Sequence, residues 1–452
     1  MLYGNDGFRP RVTGCTYGFA GVQLFAKGDC SRPVCFVYEP FTSLGKGFLF
    51  GIKRMKNSVF KVLILLYGLF LLGLSGCGGP SLGSTEREEE IRADNKAESK
   101  AEIEMQAAGL VYESSMELRY AENFSVDYYK GGYTLLTTVD GSRFLIVPEE
   151  GEVPEGLLED ITVLKRPIGD IYLVASAVMD MFSELDSLNA ITLSGQKEDG
   201  WYIEQARDAM ARGEMVYAGK YNKPDYELIV SEHCSLAIEN TMITHSPEVV
   251  EKLNEFGIPV LIEYSSSESH PLGRVEWIKF FGALLGREAE AERAFEQQET
   301  MLEQMTAKEK TDQTVAFFYI TSNGMVSVRR SSDYVPKMIK LAGGKYIFEN
   351  LGDMDSRRST MNMQVEEFYK GAKEADFIIY NSSIDGGVAS LEELLDKCEI
   401  LEDFKAVQEG NVWCTTNDMY QQSMSIGCLM EDIHSMLQGK GEEEMTYLFR
   451  LE

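Results

Sequence analysis

Two pairs of adjacent arginines stand out in an acidic chain: Arg329-Arg330, closing the stretch MVSVRR, and Arg357-Arg358, in a polar loop. A guanidinium presents a planar fork of donors that suits carboxylate, catecholate or hydroxamate oxygens. Aromatic residues at predicted strand ends and in the loops after them could add flat walls with a polar tip: Trp201, Tyr202, Tyr221 and Tyr264, then Tyr334 and Tyr420. Ser176, Lys220, Glu239, Thr241 and Asn381 lie in similar places and complete the candidate ligand-binding set, together with His270 in the segment ESHPLGR. For each arginine pair the ordinary alternative is a surface ion pair with one of the many carboxylates.

Other chemistries find little support. The four histidines, at 233, 245, 270 and 434, are scattered, and three of them fall in or beside helical patterns. Capture of a bare transition metal wants several convergent imidazoles or carboxylates, so no metal site is expected. His270 could ligate a macrocyclic metal, but a loop hydrogen bond is the ordinary use of such a histidine. The eight cysteines show no CxxC or Cys/His spacing. Cys414 and Cys428 could pair across a loop, whereas buried free thiols are the default. No G-x-S-x-G elbow, Walker loop or H-E-x-x-H occurs, and the glycines of LAGG, 341–344, follow a helical pattern and read as its cap. No enzyme activity and no resident cofactor are expected.

These side chains need strands and helices to hold them. Residues 123–147 alternate apolar and polar residues around Gly-Gly and Asp-Gly turns, predicting hairpins. After Pro167, short apolar strands alternate with helical patterns as far as PVLIEYS, and a second such series starts at TVAFFYI. That alternation predicts parallel sheets. Between the series, residues 274–310 read as one long helix, apolar early and sparser later. The expected fold is α/β: an N-terminal lobe over 109–273, a connecting helix over 274–310 and a C-terminal lobe over 311–452. Strand ends would face a ligand cleft between the lobes.

The front of the chain reads differently. From Met55, a Lys-flanked start leads to an apolar stretch, Val62 to Leu74, and then to Leu-Ser-Gly-Cys at 74–77. Basic start, apolar middle and small residues before a cleavage point make 55–76 a secretory signal, too short for a membrane span of roughly 20 apolar residues. Residues 1–54 lack periodicity and read as an over-extended start; 77–108 are charged and poor in aromatics, as in a solvated tether. The formal net charge is −29, and the chain after residue 76 holds 69 acidic against 34 basic residues. Such a surface repels phosphate backbones, which argues against a nucleic-acid partner.

Taken in order, the Leu-Ser-Gly-Cys box, the GIPV step at 257–260, the segment HPLGRVEWIKFFGALLG and the turn LAGGKYIFEN resemble the solute-binding lipoproteins of ABC importers. The likeness is to the helix-linked class that takes up iron–siderophore, haem and cobalamin complexes, and it spans about residues 165–440. It implies that Cys77 is lipid-modified and anchors the protein on the extracytoplasmic face of the membrane. It also implies that a permease with its ATPase is the partner, and that Glu227 and Glu366 dock onto permease arginines. By the same resemblance the ligand is an iron chelate, whose negative charge the arginine pairs would balance; haem or cobalamin is the alternative. A metal-chaperone or enzyme with a related two-lobe fold, or a sensory or adhesion module, would be a different outcome.

Overall fold

The computed structural model describes residues 104–352, 359–441, 443 and 445–452. The signal segment, Cys77, residues 77–103 of the tether and Arg357-Arg358 lie outside the described residues; the end of the expected tether, 104–108, is instead helical over 104–107 and packed, with Met105 buried because it is apolar and sits against the N-terminal sheet. Among those described, no helix is long and apolar enough to cross a membrane.

The hairpin pattern forms a five-stranded sheet of β1 (Tyr112–Ser115), β2 (Phe124–Tyr129), β3 (Tyr133–Thr138), β4 (Arg143–Val147) and β5 (Ile161–Lys165), in that spatial order. Its neighbours are antiparallel except β4 and β5. Both faces are covered. Phe124, Val126, Leu136 and Phe144 join the main core, while Tyr129, Leu135, Leu145 and Val147 pack with Met105 and Leu110.

The first lobe is a parallel sheet with strand order β12-β11-β6-β7-β8. Along the chain it runs β6 (Ile171–Leu173), α1 (Ser176–Glu184), β7 (Ile191–Ser194), α2 (Glu204–Ala211) and β8 (Val216–Tyr217). A small ribbon, β9 (Gly219–Lys220) and β10 (Lys223–Pro224), leads into α3 (Tyr226–Ser231), β11 (Leu236–Asn240), α4 (Pro247–Glu255) and β12 (Val260–Glu263). The chain starts at the central strand, winds to one side and then returns to the other. The carboxyl ends of β6 and β11 therefore flank a topological switch point, where loops diverge and leave a crevice.

Where one connecting helix is expected, the chain makes two: α5 (Pro271–Leu285) and α6 (Glu288–Thr306). Gly286 takes a left-handed conformation (φ 76°) that ends α5 and turns the chain back. The two helices then lie close together. A Cβ placed on Gly282 would come within 2.6 Å of that of Ala291. All of α5 except Leu285 is buried, so it is surrounded by protein instead of showing one apolar stripe.

Its buried charges are all engaged. Glu276 accepts the backbone N–H groups of Arg119, Tyr120 and Ala121 at 2.8–3.1 Å. Lys279 lies 3.3 Å from Glu276 and 3.0 Å from Glu292. Glu268, just before α5, accepts the N–H groups of Glu122 and Asn123 and the indole of Trp277 at 2.9–3.1 Å. Five successive backbone donors of the loop before β2 are thus tied to α5 and the turn before it, which fixes the N-terminal sheet there.

The second lobe carries a seven-stranded sheet among the described residues, in the order β16-β14-β13-β17-β18-β19 with β15 beside the start of β13. Its elements are β13 (Thr314–Ile320), β14 (Val326–Arg329), α7 (Tyr334–Leu341), β15 (Lys345–Tyr346), β16 (Thr360–Met363), α8 (Val365–Ala372) and β17 (Phe377–Tyr380). They continue with α9 (Leu391–Lys397), α10 (Lys405–Gln408), β18 (Val412–Thr415), α11 (Ile426–Leu437) and β19 (Leu448–Arg450). β13, β15, β16, β17 and β18 run in one direction; β14 and β19 run against them, so this sheet is mixed, not purely parallel. α11 buries Leu429, Met430 and Ile433 in the core shared with α5 and α6.

Candidate functional site

The segment after β18, residues 416–425, leaves the second lobe and reaches the strand ends of the first. The Gln421 amide bridges it: its Nε2 donates to the Gly200 carbonyl at 2.7 Å, and its Oε1 accepts the Tyr202 N–H at 2.8 Å. Ser423 Oγ donates to the Ala177 carbonyl at 2.7 Å, and the Met424 N–H donates to Asp180 Oδ2 at 2.7 Å. Burial pushes the Asp180 carboxyl up to about 6, a shift that the Met424 N–H opposes.

Next to this strap lies a cavity of about 610 Å³ between Tyr202 of the first lobe and the carboxyl ends of β17 and β18 in the second. Ser382, Glu393, Thr415, Thr416, Asn417 and Asp418 supply its polar wall, Val388, Ala389 and Phe449 its apolar one, and Gly386-Gly387 a backbone edge. Gly387 has φ 84°, and a Cβ there would sit 2.9 Å from Ser382 Oγ; a side chain would be strained and would crowd the wall. The volume falls within the range of small-molecule sites, about 300–1,000 Å³.

Beside the cavity wall, four of the sequence candidates meet. The Arg329 guanidinium donates to the Tyr420 hydroxyl, which also accepts the Asn381 amide at 2.8 Å. Arg329 lies 3.5 Å from the Asp333 carboxylate and has the rings of Tyr334 and Tyr420 at 5.8 and 5.5 Å. Burial pushes the Asp333 carboxyl up, and Arg329 opposes the shift. Arg329 is 8% exposed, so its charge is already spent inside the protein. Arg274 of α5 stacks over the other candidate tyrosine, Tyr334, at 4.1 Å. A small space of about 20 Å³ beside these two, bordered by Gln422 and Tyr447, has room for one water.

The remaining candidates are spread out. Tyr202 lines the cavity; its neighbour Trp201 is buried and donates to Ser194 Oγ at 3.0 Å. Ser176 opens α1 immediately before the strapped Ala177. Lys220 is exposed on the small ribbon, and Tyr221 packs against the apolar layer of Tyr172 and Ile229. Thr241 begins a short 3-10 turn after β11. Tyr264 donates to Asp140 of the N-terminal sheet at 3.1 Å. Arg330 donates to the Thr360 carbonyl at 3.3 Å.

Two candidates have a different local role from the one their residue type suggests. His270 caps α5, its Nδ1 accepting the Leu272 N–H at 3.2 Å, and stacks on Tyr120 at 4.5 Å. Burial pushes its imidazole down to about 4, with Lys337 adding to the shift. Glu239 shares the face of β11 with Ala237, in the apolar layer that covers Tyr172 and Ile229 of α3. It is 0% exposed, neither oxygen has a hydrogen-bond partner, and burial pushes its carboxyl up to about 8.

Sequence reasoning names Tyr202 among the cavity-lining residues and misses the polar run Thr415 to Asp418, Ser382, Glu393, and the edge formed by 386–389 and Phe449. The signal for the 415–418 run is the polar stretch TTNDMYQQS after a predicted strand, of which the sequence reading names only Tyr420. Cys234, Cys398, Cys414 and Cys428 are free thiols, and Cys414 sits 2.6 Å from Ser382 Oγ.

Two α/β lobes with a solute-sized cavity at their facing strand ends define a two-lobe binding protein. The chain belongs to the periplasmic binding protein family, whose model matches residues 175–419. The N-terminal sheet precedes the matched region. The chain is also similar to two uncharacterized lipoproteins of Methanocaldococcus jannaschii. One is 28% identical over 336 residues, covering 67% of this chain and 77% of that one; the other is 26% identical over 415 residues, covering 87% and 100%. Among solved structures, the periplasmic heme binding protein HutB of Vibrio cholerae is 16% identical, covering 59% of this chain and 98% of that one, with a TM-score of 0.48.

Proposed function

We propose that this protein is a lipid-anchored, extracytoplasmic receptor that captures an iron chelate of siderophore type and delivers it to an ABC importer. The observation that carries this reading is the cavity of about 610 Å³ between Tyr202 and the strand ends of the second lobe, in a chain of the periplasmic binding protein family. A cavity at a lobe interface can bury a compact chelate on several sides, with an aromatic wall and hydroxyls to orient it. Ligand contacts come from Tyr202, Ser382 and Thr415 to Asp418. Tyr420 and Asn381 stiffen the wall from behind, held by Arg329. Glu227 and Glu366 stand exposed in the first turns of α3 and α8, as arginines of a permease would require. Cys77 carries the lipid anchor, in keeping with the names of the two archaeal relatives.

Fluorescence quenching tests the reading directly, since Trp201 adjoins the cavity residue Tyr202. Titration with ferric siderophores should quench at micromolar concentrations and should weaken in Tyr202→Ala. Quenching by haemin or cobalamin alone would move the ligand to those classes, and no response to any of the three would refute the reading. In cells, Glu227→Ala with Glu366→Ala should abolish uptake of the chelate while binding by the purified protein stays intact.

A further inference from the structure

The cavity's charge narrows the ligand class. Among the described residues, the two charged side chains lining it are carboxylates, Asp418 and Glu393, and no lysine or arginine lines it. The cations nearby in the chain are committed elsewhere: Arg329 to Tyr420 and Asp333, and Lys397 to Asp385 at 3.0 Å. Asp418 is also incompletely satisfied. Its Oδ2 accepts the Gln422 amide at 2.6 Å, but its Oδ1 is buried with no hydrogen-bond partner. A buried carboxylate oxygen without a donor is a costly state that a ligand N–H can relieve.

We infer that the site selects a chelate bearing no net negative charge and presenting a cationic or N–H donor to the Asp418 carboxylate. This inference rests on the proposed chelate-binding role and makes Asp418 its specificity-determining residue. Placing a strongly anionic complex there would set it against two carboxylates with no opposing cation among the described lining residues. A hydroxamate complex with a pendant ammonium meets the same groups favourably.

Three ferric probes separate the outcomes: a trishydroxamate with a free ammonium arm, the same complex N-acetylated on that arm, and a tris-catecholate carrying negative charge. Wild-type protein should bind the ammonium form at least about tenfold more tightly than the acetylated one, and the tris-catecholate most weakly. In Asp418→Asn, which keeps an acceptor for Gln422, the ammonium preference should disappear while the acetylated complex still binds. Raising the salt concentration should shrink the preference in the wild type. Tightest binding of the tris-catecholate, or an unchanged preference in Asp418→Asn, would overturn this inference and leave the chelate-binding reading standing. Failure of all three probes would overturn both. Should Asp418→Asn fail to fold, Asp418→Ser supplies the second variant, and an ammonium preference undiminished there would equally count against the inference.

Discussion

Replacing Glu239 by glutamine should stabilise this protein at alkaline pH and do little at acid pH. The carboxyl is fully enclosed by the apolar layer over Tyr172 and α3, and neither oxygen is hydrogen-bonded. Burial alone raises it from 4.5 to about 8. A carboxyl raised in the folded state stays protonated there while the unfolded chain ionises. Its relative contribution is therefore fully present below the unfolded value of 4.5 and is lost as pH rises through 8. At about 1.4 kcal/mol per pH unit, the accumulated penalty above pH 8 is on the order of 5 kcal/mol, as an upper figure that local relaxation will reduce. Glutamine has nearly the same shape, keeps a neutral polar end and cannot titrate. The Tyr172 and Tyr226 phenols, the titrating groups that interact with Glu239, have values above the range concerned and remain neutral across it. Urea unfolding of both proteins at pH 5, 6, 7 and 8 gives the difference directly, and other titrating groups cancel in it. The variant should gain a few kcal/mol on wild type between pH 5 and 8, with chelate binding retained because the residue lies outside the cavity. A stability difference that stays flat across that interval would refute the reasoning.

Glu276→Ala should cost about 3–5 kcal/mol, because it strips the acceptor from three backbone N–H groups and leaves the buried Lys279 without its partner on α5. Chemical denaturation measures the loss, and a cost under about 1 kcal/mol would contradict the anchoring role assigned to α5. His270→Asn should keep the cap on α5 without a titrating ring. In the wild type the imidazole is held down to about 4, so its contribution is full above its unfolded value near 6.5 and is lost as pH falls through 4. The groups acting on it are Lys337, which adds to the shift, and Glu276, which opposes it, with Tyr120 stacked against the ring. Melting temperatures between pH 7 and 4 should fall less steeply in the variant; an equal fall would refute the assignment.

Much of the architecture was legible before any coordinates. Strands such as TVAFFYI and helices such as PEVVEKLNE declare themselves by period, because burial on one face or both leaves a repeating apolar mark. The connecting region was legible only in part. Its dense early apolar run is the enclosed α5 and its sparser tail the half-exposed α6, with Gly286 as the punctuation between them. Read as one helix, the tail would have run outward; the left-handed glycine sends it back instead.

The candidate site shows the same division more sharply. Residue types and strand-end positions picked out Arg329, Tyr334, Asn381 and Tyr420, which fold together. They could not say that Arg329 would be consumed by Tyr420 and Asp333 before reaching a ligand. Glu239 and Asn240 are adjacent on one strand end, yet the pleat sends successive side chains to opposite faces, and the even or odd position decides which layer each enters. The sequence by itself determined the element types, the two α/β series and the acidic character of the chain, since these depend on local periodicity and composition. Only the tertiary structure decided which charges are neutralised, which carboxylate oxygen lacks a donor and which loop crosses to meet the other lobe. The contacts of Arg329 with Tyr420 and of the strap with the first lobe join residues 91 to 246 positions apart, for which the chain carries no local mark.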